Sequence, residues 1–289
     1  MKLDQIDKSA WRKIAFLLTV IASGCSGFLT WMLSNGQGDA ALAGGLLGGL
    51  IVGPLIVLLG SVSLKLNDMR RQIKRQIWQS HASLREMTNI RPLVDGPPLD
   101  FGEWAVDPYF GKVLAQLISR HQPEHLLECG SGTSTVLMAQ LQHRFCPDGE
   151  LTALEHLSKY AEESNQLLED HGVAEQVEVV LAPLEEWEVD GVTRPWYGVD
   201  VRRFSEQSID MLVVDGPPGS TGPMARYPAA VLLKPYLSSD CVIVMDDGDR
   251  PDEKETARRW SELLEAEIEY AGGPKGTVIL RREASSDKS

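Results

Sequence analysis

Two long stretches of the chain contain no charged residue, and both lie near its start. They cover residues 14–33 and 41–64, and only residues 34–40 separate them. A helix needs about 20 predominantly apolar residues to cross the hydrocarbon core of a bilayer. The pattern therefore predicts a hairpin of two transmembrane helices within residues 1–64, with a pair of buried core helices as the alternative.

Basic residues flank this predicted hairpin. Four of them precede the first stretch and five follow the second, whereas the connecting segment holds only the acidic Asp39. Cytoplasmic segments of membrane proteins carry an excess of Lys and Arg. The distribution predicts a multi-pass protein of the cell membrane, with the lipid bilayer as a partner and with both termini and the rest of the chain in the cytoplasm.

The second uncharged stretch is rich in closely spaced small residues, namely Gly44, Gly45, Gly48, Gly49 and Gly53. Small residues at such spacing allow the backbones of two membrane helices to approach closely. Two interpretations follow from this spacing. The second helix packs against the first within one hairpin, or it packs against its copy in a homodimer.

Residues 65–91 combine a helical stripe of apolar side chains with many Arg and Lys residues. The apolar positions are Leu66, Met69, Ile73, Ile77, Leu84 and Met87. We interpret the segment as a basic amphipathic linker that binds anionic headgroups, pairs with a second copy or remains solvated. The sequences Arg91-Pro92 and Gly96-Pro97-Pro98 interrupt it, so a separate domain is predicted for residues 92–289.

Residues 92–289 show a different pattern, in which short apolar runs alternate with helical periodicity. Strands are predicted at 125–128, 151–154, 177–181, 209–214 and 241–245, and helices at 110–120, 133–143, 160–171 and 253–264. Runs at 268–270 and 277–281 predict a closing hairpin. This alternation is typical of an α/β, doubly wound and mostly parallel sheet, which binds its ligand at the carboxyl ends of the strands.

Charge divides the chain at the same place. The whole chain has a formal net charge of −13. Residues 1–91 hold 11 Lys and Arg against 5 Asp and Glu, a balance of +6, so residues 92–289 carry −19. An acidic domain disfavours nucleic acid as a partner, because phosphate binding requires basic residues. The four Cys residues lack paired spacing, which excludes a disulfide scaffold.

A loop with two glycines follows the first predicted strand and precedes a helix. It reads Glu128-Cys129-Gly130-Ser131-Gly132, and Thr135 stands where a dinucleotide-binding fingerprint has a third Gly. The carboxylate of Glu128 would repel a pyrophosphate but attract a cationic ligand. Glu155, at the end of the second strand, is placed to accept hydrogen bonds from ribose hydroxyls. An NAD-dependent oxidoreductase is therefore disfavoured.

Four motifs stand in order along this domain: ECGSG at 128–132, LEH at 154–156, VVDGPP at 213–218 and VMDD at 244–247. In that order, and with the closing hairpin, residues 100–282 resemble the class I S-adenosylmethionine (SAM)-dependent methyltransferases. The resemblance implies a Rossmann-like sheet of seven strands, the last one antiparallel, and SAM as the cofactor. It also implies a set of cofactor contacts: Glu128, Gly130 and Gly132 at the methionine end, Glu155 at the ribose, Ala182 and Leu184 at the adenine, and Asp215.

Three aspartates follow two of the predicted strands, at Asp215, Asp246 and Asp247. Converging carboxylates repel one another unless they are protonated or bridged by a cation, and oxygen ligands suit Mg²⁺. The arrangement resembles the metal-dependent O-methyltransferases, which implies a Mg²⁺ site at these residues and a catalytic role for Asp215. Those enzymes often carry a Lys or His at the place of Pro218. Helix capping or solvated turns are the alternative interpretation.

Residues of two further segments are candidates for binding the methyl acceptor. Arg226 binds an anionic substrate group or neutralises the nearby aspartates, and Tyr227 follows it in the same loop. Trp187, Trp196 and Tyr197 lie in an insert after the third strand, where they line an acceptor pocket or cover the sheet.

The sequence as a whole predicts a membrane-anchored SAM-dependent methyltransferase. We expect it to methylate a hydroxyl group of a small molecule, lipid or glycan at the cytosolic face. The alternative from another functional class is a SAM-binding membrane scaffold or regulatory protein without turnover.

Overall fold

The computed structural model describes residues 8–33, 38–99 and 106–282. The chain divides into two compact units, Met1–Ser80 and His81–Ser289. Several predicted features lie outside the described residues: Lys2 in the basic flank, residues 34–37 of the predicted turn, and residues 100–105 at the start of the methyltransferase-like region. The predicted domain boundaries stay predictions.

Two helices account for the described residues before the methyltransferase-like region. Helix α1 covers Lys8–Leu33, and helix α2 covers Gly38–Ile90 with Pro54 inside it. The predicted second span and the predicted linker are therefore parts of one helix. Throughout the part of the chain that the structure describes, no helix is both long enough and apolar enough to span a bilayer.

The predicted transmembrane hairpin, and the multi-pass location in the cell membrane with cytoplasmic termini, are therefore wrong. Those predictions were made from two charge-free runs of the sequence, whereas a span requires a whole helix that is both long enough and apolar enough.

The second unit is built on a seven-stranded sheet. Its principal elements are α3 (Pro108–His121), β1 (His125–Cys129), α4 (Thr133–Phe145), β2 (Glu150–Glu155), α5 (Ser158–Asp170), β3 (Val177–Leu181), β4 (Leu184–Val189), β5 (Val192–Tyr197), β6 (Ile209–Val214), α6 (Pro228–Leu233), β7 (Leu237–Met245), α7 (Pro251–Leu264), β8 (Ala266–Ala271) and β9 (Thr277–Arg282). The strand order is β3-β2-β1-β6-β7-β9-β8, and β9 is antiparallel to both of its neighbours. The predicted Rossmann-like sheet with an antiparallel last strand is confirmed.

Both faces of the sheet are covered, which makes the fold doubly wound. Along β6, Met211 and Val213 join one hydrophobic core with residues of α3, α4 and α5. Leu212 and Val214 join a second core with residues of α6 and α7. Because both faces are buried, the central strands are continuous apolar runs rather than alternating ones.

Neighbouring strands end at the same level of the sheet. Cys129 of β1 pairs with Leu154 of β2 and Val214 of β6, and Val214 pairs with Met245 of β7. The residues that follow these positions therefore emerge side by side at one edge: Gly130, Glu155, Asp215 and Asp246. The strand order reverses between β1 and β6, which is where sheets of this kind bind their ligands.

A small second sheet, the antiparallel pair β4 and β5, is not predicted by the hydrophobic pattern. Asp190 and Gly191 form its two-residue turn with φ of 51° and 71°. Asp-Gly is a preferred pair for such hairpin turns, so this dipeptide is the signal that identifies the hairpin. The side chains of Trp196 and Tyr197 are fully buried in the core on the α6 and α7 side of the sheet.

Candidate functional site

A cleft of about 720 Å³ opens at the carboxyl edge of the sheet in the second unit. Its walls come from the segments after β1, β2, β6 and β7 and from the turn between β8 and β9. Gly130, Glu155, Asp215 and Asp246 all line it, as the register of the strands requires. Pockets of this size accommodate a cofactor or a drug-sized molecule.

The loop after β1 turns tightly at Gly130, whose φ is 112°. Residues with a side chain rarely adopt this conformation. A Cβ atom at this position would also lie 3.4 Å from the backbone nitrogen of Gly216. Gly130 therefore allows the ends of β1 and β6 to approach each other at the cleft. Gly132 caps α4 through its N–H, which donates to Thr135 Oγ1 at 2.9 Å, and it does not line the cleft.

Glu128 is fully buried and is not among the residues that line the cleft. The hydroxyls of Ser134 and Thr135 donate to its two carboxylate oxygens at 2.5 and 2.6 Å. Burial raises the pKa of Glu128 to about 8; the two hydroxyls oppose this shift, and Asp215 and Glu155 add to it. Glu128 thus fixes the first turn of α4, and its contact with the methionine end of a cofactor stays a prediction.

Glu155 lines the cleft with a carboxylate that its neighbours hold in place. Its Oε1 accepts the N–H groups of His156 and Leu157 at 2.8 and 2.9 Å, and lies 2.9 Å from His156 Nδ1. Ser131 Oγ donates to Oε2 at 3.3 Å. A carboxylate oxygen with one donor can accept another hydrogen bond, so Oε2 is able to bind a ligand hydroxyl.

Arg226 lies among the three aspartates and is only 3% exposed. Its terminal nitrogens donate to the carbonyl oxygens of Asp246 and Asp215 at 2.6 and 2.5 Å. They also lie 2.8 Å from Asp247 Oδ2 and 3.4 Å from Asp215 Oδ1. Arg226 therefore neutralises the aspartates, which is one of its two predicted roles, while it also lines the cleft.

The three aspartates form a group of the right size for a metal ion, since one oxygen of each lies within 4.8 Å of the others. However, Asp247 Oδ2 is already bound by Arg226 and by Arg250 Nη1, the latter at 2.9 Å. Arg226 and Arg250 therefore compete with a cation for this oxygen of Asp247, and the Mg²⁺ site at the three aspartates stays a prediction.

Two of these aspartates have raised pKa values, and burial is the largest cause in both. Partial burial raises the pKa of Asp215, Arg226 opposes the shift, and Asp247 adds to it. Burial also raises the pKa of Asp246, with Asp215 and Asp247 adding to the shift. The side chain of Asp215 remains 40% exposed. These two carboxylates are therefore better suited to exchange protons with a ligand than ordinary aspartates are.

Tyr227, a predicted substrate contact, is not brought to the cleft. It is 5% exposed, and its hydroxyl donates to Asp190 in the turn between β4 and β5. Its ring lies 5.6 Å from the guanidinium of Arg194 and 5.5 Å from that of Arg259. Because these contacts occupy the side chain, Tyr227 fastens the hairpin to α7 instead.

The two predicted adenine contacts also lie away from the cleft lining. Ala182 is fully buried in the core, and its N–H donates to the carbonyl of Glu155 at 2.7 Å. Leu184 is the first residue of β4 and is half-buried. The structure therefore does not bring these residues together with Gly130 and Glu155, and an adenine contact at either stays a prediction.

Other cleft residues carry little signal in the sequence: His156, Arg250 and Lys275. They come from separate segments, and only the fold brings them to one edge. The carbonyl of Lys275, for example, accepts the N–H of Asp249 at 2.9 Å, which holds the β8–β9 turn against the segment after β7. Tyr197 also lines the cleft, in line with one of the two interpretations of the aromatic insert, and the Asp190-Gly191 turn identifies the strand that it ends.

Comparisons with known proteins identify a methyltransferase domain in this unit. Residues 127–248 match the family described as "Methyltransferase domain". The structure is similar to the O-methyltransferase TomG of Streptomyces achromogenes in complex with SAM, with 23% identity, 62% of this chain and 82% of that chain covered, and a TM-score of 0.45. It is also similar to an O-methyltransferase from Bacillus cereus in complex with S-adenosylhomocysteine, with 17% identity, 70% of this chain and 91% of that chain covered, and a TM-score of 0.46. A methyltransferase from Geobacter sulfurreducens is similar as well, with 16% identity, 62% of this chain and 80% of that chain covered, and a TM-score of 0.44. No curated protein matches the chain.

The family match and the fold support the same conclusion. The matched segment begins in β1 and ends just after β7, so it contains the glycine loop, Glu155 and the aspartates of the cleft. The sheet has the strand order and the antiparallel last strand that the sequence resemblance implies. An enzyme is therefore favoured over the scaffold without turnover, and the chain is a class I SAM-dependent methyltransferase.

Proposed function

We propose that this methyltransferase transfers the methyl group of SAM to the hydroxyl group of a small acceptor molecule. The observation that carries the proposal is the pair Asp215 and Asp246, which line the cleft at the ends of adjacent strands. The raised pKa values of both carboxyl groups bring proton acceptance closer to neutral pH than in an ordinary aspartate. Such groups are suited to general-base catalysis.

The bound cofactor supplies a methyl group on a sulfonium and leaves as neutral S-adenosylhomocysteine. Much of the rate comes from holding the acceptor oxygen in line with that methyl group. As the oxygen–carbon bond forms, Asp215 or Asp246 accepts the hydroxyl proton, so a methyl ether and a protonated carboxyl group result. Arg226 fixes Asp215 by donating to its carbonyl oxygen and to Oδ1. No step requires a metal ion.

The size of the cleft and the strength of the base restrict the acceptor. The volume of about 720 Å³ must hold the cofactor as well, which favours a small molecule over a lipid or glycan chain. A carboxylate is a weak base, and it deprotonates a phenol, with a pKa of about 10, more easily than an alcohol. We therefore infer a small phenolic acceptor.

The test is methyl transfer from isotopically labelled SAM by the full chain, with a panel of phenols, alcohols, amines and thiols in the presence of EDTA. We expect transfer to phenols, and we expect Asp246→Asn to lower kcat by roughly 100-fold or more because it removes a proton acceptor. Asp148→Asn changes an exposed residue outside the cleft and serves as the matched control.

Two outcomes would contradict the proposal. Transfer to amines or thiols but to no hydroxyl would refute O-methylation. Binding of SAM without transfer to any acceptor would favour a regulatory protein without turnover.

A further inference from the structure

Tyr197 places a buried hydroxyl group at the cleft. It is the last residue of β5, its residue exposure is 0%, and it lines the cleft together with Gly130 and Gly216. Its Oη lies so close to Gly216 that a Cβ atom there would collide with it. Gly130 and Gly216 follow β1 and β6, between which the strand order reverses. The hydroxyl is therefore at the position where doubly wound sheets bind their ligands.

This hydroxyl has no hydrogen-bond partner among the residues that the structure describes. Two other side chains of the cleft also carry a buried nitrogen without a hydrogen bond, but each has a charged neighbour. His156 Nδ1 lies 2.9 Å from Glu155 Oε1, and Arg226 Nε lies 4.0 Å from Glu253 Oε1. Of these three groups, Tyr197 Oη is the one for which the described residues provide no compensating contact.

An unpaired buried hydroxyl is costly, typically about 1–3 kcal/mol, so its retention at a ligand site points to a partner that arrives with the ligand. The hydroxyl acts as a donor, because burial raises the pKa of Tyr197 well above its ordinary value, with Cys129, Glu155 and Asp215 adding to the shift. It therefore keeps its proton at neutral pH.

We propose that Tyr197 Oη donates a hydrogen bond to the bound SAM cofactor and that Gly216 is required to leave space for this hydroxyl. The inference deepens the proposed function, because it assigns a cofactor contact to the insert formed by β4 and β5. It also explains why the hairpin is fastened to the domain through Asp190 and Tyr227. That contact holds the strand carrying Tyr197 in place.

The experiment is calorimetric titration of the full chain with S-adenosylhomocysteine, combined with thermal unfolding of the ligand-free protein. For Tyr197→Phe we expect Kd to rise by roughly 5- to 100-fold, because the cofactor loses a donor. We expect Tm of the ligand-free protein to stay the same or to rise, because the variant removes an unpaired hydroxyl. Tyr270→Phe, at a residue that is 55% exposed and outside the cleft, is the matched control.

The change in Kd and the change in Tm of the ligand-free protein together distinguish a ligand contact from a structural role. A Kd within twofold of the wild-type value would overturn the proposal, and so would a lower Tm in the ligand-free variant. If the wild type itself does not bind S-adenosylhomocysteine, the proposed function fails as well, and that result is distinct from loss in the variant alone.

A second variant tests the role of Gly216. Gly216→Ala places a methyl group against Tyr197 Oη, so we expect it to weaken S-adenosylhomocysteine binding in the wild-type background. In the Tyr197→Phe background the additional effect of Gly216→Ala is expected to be smaller, because the colliding atom is absent. Equal effects in the two backgrounds would contradict the proposed pairing.

Discussion

Replacing Arg226 tests whether a guanidinium, rather than a metal ion, balances the charge of the cleft. The group is 3% exposed and lies within 4.0 Å of Asp215, Asp247 and Glu253. Removing one partner of a buried ion pair typically costs about 3–5 kcal/mol, because the opposite charges remain buried. For a domain of this size each kcal/mol lowers Tm by about 2–4 °C. Arg226→Gln should therefore lower Tm by roughly 6–20 °C.

The same variant frees carboxylate oxygens, so its response to divalent cations is as informative as its stability. We expect Mg²⁺ and Mn²⁺ to raise Tm of Arg226→Gln, because Asp215, Asp246 and Asp247 can then bind a cation. We expect neither these ions nor EDTA to change Tm of the wild type. The assay is thermal unfolding with and without each ion.

Arg258→Gln provides the control, since Arg258 pairs with Glu255 and Glu262 at an exposed face of α7. Exposed pairs contribute about 0–1 kcal/mol, so little change is expected there. A lower Tm of the wild type in EDTA would contradict this prediction, because a resident metal would then carry the charge balance assigned here to Arg226.

Two further predictions concern the loop after β1. Because burial raises the pKa of Glu128 to about 8 from an unfolded value of about 4.5, its stabilising contribution is complete below pH 4.5 and falls as pH rises towards 8. The free energy of unfolding of Glu128→Gln, measured in urea, should therefore increase relative to that of the wild type as pH rises from about 5 to about 9. A difference between the two proteins that does not change with pH would contradict this. Gly130→Ala should lower the free energy of unfolding by about 1–3 kcal/mol and weaken the binding of S-adenosylhomocysteine. Gly272→Ala, where a Cβ atom meets open space, should change neither quantity.

Local sequence signals predicted the core of the fold well. The five parallel strands and the closing hairpin lie where the apolar runs predicted them, because strands that are buried on both faces are continuous apolar segments. Glu155 and Asp215 could be assigned to one edge for the same reason, since parallel strands bring their carboxyl ends together. Those inferences required only periodicity and chain order.

The side-chain contacts could not be predicted in the same way. Arg226 and Tyr227 are adjacent in the sequence, yet the first lies among the aspartates and the second binds Asp190. Which direction each side chain takes depends on the packing of α6, α7 and the β4–β5 hairpin, whose partners are distant in sequence. The membrane prediction was wrong as well, because no described helix is both long enough and apolar enough to span a bilayer.

We expect the cleft at the ends of β1 and β6 to bind SAM. The decisive measurement is calorimetric titration of the full chain with SAM, and separately with NAD⁺. One SAM should bind per chain in a saturable manner, Gly130→Ala should weaken this binding, and NAD⁺ should not bind. Failure to bind SAM, or preferential binding of NAD⁺, would contradict it.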